Sequence, residues 1–374
     1  MAVRHGYGKI AGTDALVFAY DTGDTINSYR GRPTTNYGPA DLASWSLESG
    51  DVKRIATGNY YKGQPTYNCR TALNTSWIAI NTTISGLRTA AGSSGTVTMS
   101  CMVRNNNSSA YPVYAYIGHD FGSTRTIPAN SDWQKIQWTV NQSNMNNDYV
   151  EFRPYTNTAE VYLEMTMPMV EVNVGNASQF VNGTRSATQG LLDLTGNSSI
   201  DLSNVSFNSN AQIVFDGSND YISIPSSTVF DTQTVTVEVV VKPYATSQYG
   251  FWFEKGTVNT QYSLFIEGGS IVWRQASQSQ YCSSSNLTAN GWNHVVGTFK
   301  TGERITYVNG VIKAQDALVH TLATNQGAQY IGSYNSGGYH YNGEIAVVKV
   351  YNRVLTADEV ASNYNHYKSR FNIS

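Results

Sequence analysis

The stretch TVTVEVVV (residues 234–241) decides the fold of the second half of this chain. Strict alternation sets Val235, Val237, Val239 and Val241 on one side, as a strand with one buried face requires. Further along, Arg304-Ile305-Thr306-Tyr307-Val308 and Val311-Ile312-Lys313 flank Asn309-Gly310. That dipeptide supplies two residues able to take positive φ, so a tight hairpin is expected there. One helix is expected after Thr356, which can cap its N-terminus while Glu359 closes a capping box. Leu355 and Val360 form the staple, and Val360, Tyr364, Tyr367 and Phe371 share a face. The segment 211–374 therefore reads as a β-sandwich closed by a short helix.

The first half carries the same period. Residues 96–103 (TVTMSCMV) alternate and stop at Asn105-Asn106-Asn107, a turn, and the pattern returns at 113–117, 133–140 and 161–167. Residues 41–175 are expected to form another β-sandwich, used for assembly or built like a carbohydrate-binding module. Residues 1–40, rich in Gly, Thr and Asn with one short apolar run at 15–20, read as an extended arm that orders on a neighbour. Residues 176–210 read as a packed linker.

Composition agrees with sheets. Of 374 residues only 13% are charged, about half of the roughly 25% usual in soluble domains, while Tyr (26) and Gly (32) are abundant. A net charge of −2 without any Lys/Arg cluster excludes the electrostatic footprint of a nucleic-acid binder. Cys69, Cys101 and Cys282 have no CxxC spacing, which argues against a disulfide framework and a zinc site. A Cys69–Cys101 bridge and buried free thiols remain the two readings. No apolar run has the length of a bilayer span, and the first twenty residues do not read as a signal peptide, so synthesis in a cytoplasm without membrane insertion is expected.

Six strings occur in order: FDGSNDYISIP (215–225), TVTVEVVVKP (234–243), GWNHVVGTF (291–299), ITYVNGV (305–311), YIGSY (330–334) and YNGEIAVVKVYNRVLTADEVASNYN (341–365). Together they resemble a laminin-G-like domain of the concanavalin A-like lectin/glucanase superfamily. The resemblance implies two stacked antiparallel sheets in a jelly roll with a helix at the end. The family's last strand commonly carries an Asp after its Ile, where this chain has Ala346 after Ile345, so no site depending on that carboxylate is expected. Residues 21–39 (DTGDTINSYRGRPTTNYGP), 167–188 and 190–222 are similar to jelly-roll modules in tail and fibre proteins of bacteriophages. That second resemblance implies a virion protein, a fibre, spike or capsid-decorating subunit. It would be homo-oligomeric by analogy with trimeric fibres, and bound to other virion proteins through its arm and first sandwich.

Catalysis is not expected. Retaining glycosidases need two carboxyl groups about 5–5.5 Å apart, and the laminarinase-type members of the superfamily place them in Glu-x-Asp-x-x-Glu. Here Glu238, Glu254, Glu267 and Glu344 each stand alone, and the histidines are scattered. His294, beside Trp292, reads as packing. A calcium ion is the one cofactor the resemblance allows, on the oxygen-rich loop of Asp216, Asn219 and Asp220. The other reading of that loop is a plain turn before Tyr221. Sugars stack their C–H faces on aromatic rings while neighbouring amides and hydroxyls pair with their hydroxyls. Three Tyr-rich loops offer this: 244–252, 277–286 and 334–343. The candidate carbohydrate contacts are Tyr249, Trp252, Tyr281, Tyr334, Tyr339, His340 and Tyr341. The expected function is attachment to a host-surface glycan, with a pure cement role or a polysaccharide depolymerase as the rivals.

Overall fold

The computed structural model describes residues 13–48, 52–71, 79–155, 161–256, 261–324, 327–335 and 337–373. Its regular structure is antiparallel sheet, apart from one-turn helical segments, the short helix Leu87–Ala91 and a C-terminal helix, Ala357–Phe371. The protein is all-β with sandwich architecture, as the alternation predicts. Contacts divide the chain into Thr34–Arg185 and a second unit made of Met1–Pro33 with Ser186–Ser374.

In the unit Thr34–Arg185 a five-stranded sheet runs Ser131–Asn141, Thr96–Asn105, Leu163–Val172, Gln64–Arg70, Lys53–Tyr61. A second sheet is built on Tyr111–Ile117, Tyr149–Pro154 and Ile80–Thr83. Their facing sides bury one cluster that includes Trp45, Met99, Val103, Trp138, Phe152 and Met165. Cys69 and Cys101 lie inside it as free thiols, and Cys282 is also free and buried. The second of the two readings is therefore the one observed, and burial pushes all three thiols up from their ordinary pKa.

The other unit stacks an eight-stranded sheet on a seven-stranded one. The first runs Ser206–Phe207, Ile213–Asp216, Asn342–Tyr351, Val235–Pro243, Asn293–Lys300, Glu303–Val308, Val311–Asp316, with Leu16–Asp21 also pairing the long strand Asn342–Tyr351. The second runs Asp201–Asn204, Tyr221–Ile224, Gln329–Ile331, Tyr249–Lys255, Tyr262–Glu267, Ser270–Gln275, Gln278–Ser283. Val235, Val237, Val239 and Val241 meet Trp252, Leu264, Ile271 and Trp273 in the core between them. The expected hairpin is present, with Asn309 at φ 50° and Gly310 at φ 77°.

Part of the segment read as an arm is integral to this unit. In Leu16–Asp21, Phe18 and Tyr20 join the core, and the backbone pairs with residues 347–351. Residues 1–12 lie outside the described residues. The stretch read as linker likewise supplies core residues Leu191, Ile200 and Leu202. In both places a few apolar side chains suffice because a sheet already formed by other strands receives them.

The outward face of the strand Val235–Pro243 is buried as well. Thr356 caps the helix and the capping box with Glu359 is complete. Val360 and Tyr367 are then pressed onto the sheet over Thr236, Glu238 and Val240. Beneath the helix Glu238 accepts from His294 Nε2 at 2.7 Å, Tyr351 Oη at 2.7 Å and Asn363 Nδ2 at 3.2 Å, with Lys349 Nζ 3.8 Å away. Burial alone would raise the Glu238 carboxyl, but Lys349 and His294 outweigh it and hold it at about 2. His294 is thus a structural partner, as its sequence context suggests.

Candidate functional site

On the seven-stranded sheet the side chains that do not enter the core form transverse rows on the outer face, two of which run side by side at its centre. Pairing sets Phe251 beside Phe265, Phe265 beside Val272, and Val272 beside Tyr281. The Phe251 and Phe265 rings stack at 4.3 Å with 11° between their planes, and the Arg274 guanidinium lies 4.5 Å from the Phe265 ring centre. Next to this apolar row runs a polar one, in which Ser223, Tyr330, Glu254, Ser263, Arg274 and Ser279 are successive cross-strand partners. An aromatic stripe alongside hydroxyls, a carboxyl and a guanidinium matches the two chemistries of a sugar ring, its C–H face and its hydroxyl edge.

One end of the apolar row is built up by the loop that follows Ile331. Tyr334 N–H donates to Gly338 O at 2.9 Å, and the next residue, Tyr339, has φ 50°. Tyr339 remains 55% exposed, with its ring 4.1 Å from that of Tyr249 and 5.9 Å from that of Tyr334. Tyr334 in turn packs on Phe251 at 5.2 Å. The loop is pinned to the sheet by Asn335 N–H, which donates to Glu254 Oε2 at 2.8 Å. Burial pushes the Glu254 carboxyl up to about 7, against the opposing pull of the Asn335 amide and Arg274.

Of the seven sugar-contact candidates, Tyr249, Tyr334 and Tyr339 come together here, and Tyr281, 57% exposed, ends the apolar row on the edge strand. Two do not reach the surface. Trp252 and Tyr341 are 0% exposed core residues, so neither offers a ring face to a ligand. Trp252 turns inward because the register shifts between Phe251 and Phe253, which sends two successive side chains into the core. Tyr341 points in between Phe215 and Trp252. His340 is half-buried, and its Nδ1 donates to Asp220 O at 3.2 Å. Phe251, Phe265, Glu254, Arg274 and Tyr330 were not among the candidates. The alternation in SLFIE (263–267) and IVWRQ (271–275) is the signal that points Phe265 and Arg274 outward.

The calcium candidates hydrogen-bond within their own turn. Asp216 Oδ1 accepts from Ser218 N at 2.7 Å and Asn219 N at 3.3 Å, while Asp220 accepts from Asp216 N at 2.9 Å and Ser206 Oγ at 3.2 Å. These carboxylate oxygens close the turn before Tyr221 on itself. Among the described residues no group of three or more His, Cys, Asp or Glu side chains is placed to hold a metal. The four glutamates weighed for catalysis have separate surroundings. Glu238 is under the helix, Glu344 binds Lys242 and Tyr244, Glu254 holds the Asn335 turn, and Glu267 ends its strand opposite Tyr249.

Residues 216–361 match the family model of the concanavalin A-like lectin/glucanases superfamily. No curated protein sequence matches the chain. Among solved structures, similarity is found to the botulinum neurotoxin serotype D binding domain, at 16% identity and a TM-score of 0.39 over 48% of this chain and 49% of that one. The botulinum neurotoxin type G receptor binding domain is 19% identical, with a TM-score of 0.40 over 49% and 50%. The binding domain of botulinum neurotoxin DC, in complex with rat synaptotagmin II, is 14% identical, with a TM-score of 0.39 over 48% and 50%. The chain spans about half the length of each of these structures.

Proposed function

We propose that the outer face of the seven-stranded sheet is a glycan-binding surface, carried by a structural subunit of a bacteriophage virion that contacts the host envelope. The observation that carries the glycan reading is the exposed Tyr339 ring held against Tyr249 and Tyr334 by a turn anchored on the sheet. A rigid aromatic platform next to a polar row needs little reordering on binding, which is what lets a shallow site hold a sugar. The virion assignment rests on the weakly charged, Gly- and Tyr-rich composition and on the resemblance of residues 21–39 and 167–188 to phage fibre modules. On this reading the unit Thr34–Arg185 contacts other virion proteins, and the protein acts by binding rather than by cleaving its ligand.

A glycan array probed with the wild-type chain and with Tyr339→Gly tests the proposal. The glycine relieves the positive φ while deleting the ring, so the fold is kept and only the platform is lost. Binding that is absent in both proteins would reject it, as would binding that Tyr339→Gly leaves intact. A cement role draws its support from a different feature. The edge strand Val311–Asp316 exposes Val311 (55%) and Ile312 (46%), an unpaired edge suited to a second copy of the chain. Sedimentation of wild type against Val311→Lys measures that association.

A further inference from the structure

The polar row contains a carboxyl group in an unusual setting. Glu254 is 4% exposed, and among the described residues no Lys, Arg or His forms an ion pair with it. Glu238 has Lys349 within 3.8 Å and Asp21 is paired with Arg370, whereas the buried Asp193 and Asp220 are, like Glu254, held by neutral donors. Arg274, two strands away along the row, is turned onto the Phe265 ring, and its Nε donates to Ser279 Oγ at 3.1 Å. Glu254 opens instead into a cavity of about 350 Å³. Tyr330 and Tyr334 line it together with Asn335, and Gly256, Gly327 and Ala328 add no long side chain to that lining. A buried acceptor that, among the described residues, makes no ion pair and opens into a cavity lined by two tyrosines is complementary to a small cation that can shed its water.

We propose that this cavity receives the ammonium group of an amino sugar whose nitrogen is unsubstituted. The proposal rests on the glycan reading above, since Tyr334 belongs both to the cavity wall and to the Tyr249–Tyr339 platform. A saccharide stacked on the platform therefore has its next group directed at Glu254. The carboxyl anchors the turn through Asn335 as well, so an incoming cation sits on a preorganised acceptor. Burial leaves this carboxyl partly protonated near neutrality. A bound cation favours its ionised form, so at about pH 6, where the amine is already charged, association displaces the carboxyl proton to solvent, whereas a neutral amine takes that proton itself. The charged or titratable side chains facing Glu254 are Arg274, Tyr330 and Tyr334.

The test is calorimetric titration of the full chain with three probes: a glucosamine pentamer, its fully N-acetylated counterpart, and choline as an ammonium without a sugar. The expected result is that the free amine strengthens binding about ten- to a hundredfold over the acetylated pentamer. Buffers of different ionisation heat should report proton release at about pH 6, where the free amine is charged. Glu254→Gln, which keeps an oxygen for the Asn335 N–H, should make the two pentamers equal without abolishing the acetylated one. Should that variant unfold, Tyr330→Leu removes one lining tyrosine from a half-exposed position, and the amine preference should fall with it. In the wild type the preference should fade both toward acid pH, where the carboxyl is protonated, and above about pH 8, where the amine has lost its charge. Equal affinity for both pentamers, unaffected by Glu254→Gln, overturns the cation site and leaves the glycan reading standing. Choline binding that depends on Glu254 while neither pentamer binds keeps the cation site and rejects an amino sugar as its occupant. Failure of all three probes rejects the cation site, and the glycan array then decides the glycan reading by itself.

Discussion

Replacing Glu238 with Gln removes the negative charge at the centre of the network beneath the C-terminal helix. Lys349 is 2% exposed, lies 3.8 Å from Glu238, and rests against the Tyr367 ring at 4.9 Å. Burial already lowers the Lys349 pKa, and Glu238 is the main influence opposing that. The other nearby carboxylate, Asp21, is engaged by Arg370 and does not replace it. The intact pair contributes modestly, since desolvation of both charges offsets much of their attraction. Breaking it is different, because an unpaired ammonium is left buried at a cost of about 3–5 kcal/mol. For a unit of this size each kcal/mol moves the midpoint by about 2–4 °C, so a fall of roughly 6–20 °C is expected. Scanning calorimetry of the whole chain should show one transition, that of the unit containing residues 186–374, moving while the other stays. Adding Lys349→Met removes the orphaned charge and should restore all but about 1–2 kcal/mol. A single-variant fall under about 2 °C would refute the reasoning. So would a double variant as unstable as the single.

The same network makes the C-terminal unit acid-sensitive. The folded carboxyl of Glu238, at about 2, lies below the unfolded value near 4.3. Its contribution of about 2–3 kcal/mol is therefore complete above that value and lost as pH falls toward 2. Urea titrations between pH 5 and 2 should show this slope, and Glu238→Gln should flatten it. Tyr341→Ala empties a fully buried site and should cost about 3–5 kcal/mol, whereas Tyr339→Gly should stay within about 1 kcal/mol, both read by urea unfolding. Cys69, Cys101 and Cys282 should react with a thiol reagent only after denaturant is added, all three then titrating without a reductant.

Local patterns carried much of this fold. The alternation in residues 234–241 places four valines inward as read, and Asn309-Gly310 and the Thr356–Glu359 box act where their chemistry puts them. What escaped the sequence is set by distant partners. Nothing in residues 234–241 announces that Glu238 lies under a helix more than a hundred residues away, or that Leu16–Asp21 pairs with the strand Asn342–Tyr351. The candidate site divides the same way. Tyr249, Tyr334 and Tyr339 were legible as ring-bearing loop residues. The register shift that hides Trp252 is a backbone event between Phe251 and Phe253, and the neighbouring Gly250 does not by itself announce it. Glu254 gains its character from three separated segments, its own strand, Tyr330 and Asn335, and no spacing rule joins them.

A crystal structure with a bound oligosaccharide selected on the array addresses the account most directly. The account predicts a sugar ring lying on Tyr249 and Tyr339, with its polar edge toward Glu254 and Arg274. Density for the ligand on the eight-stranded sheet, or at the loop formed by Asp216 and Asp220, would contradict it.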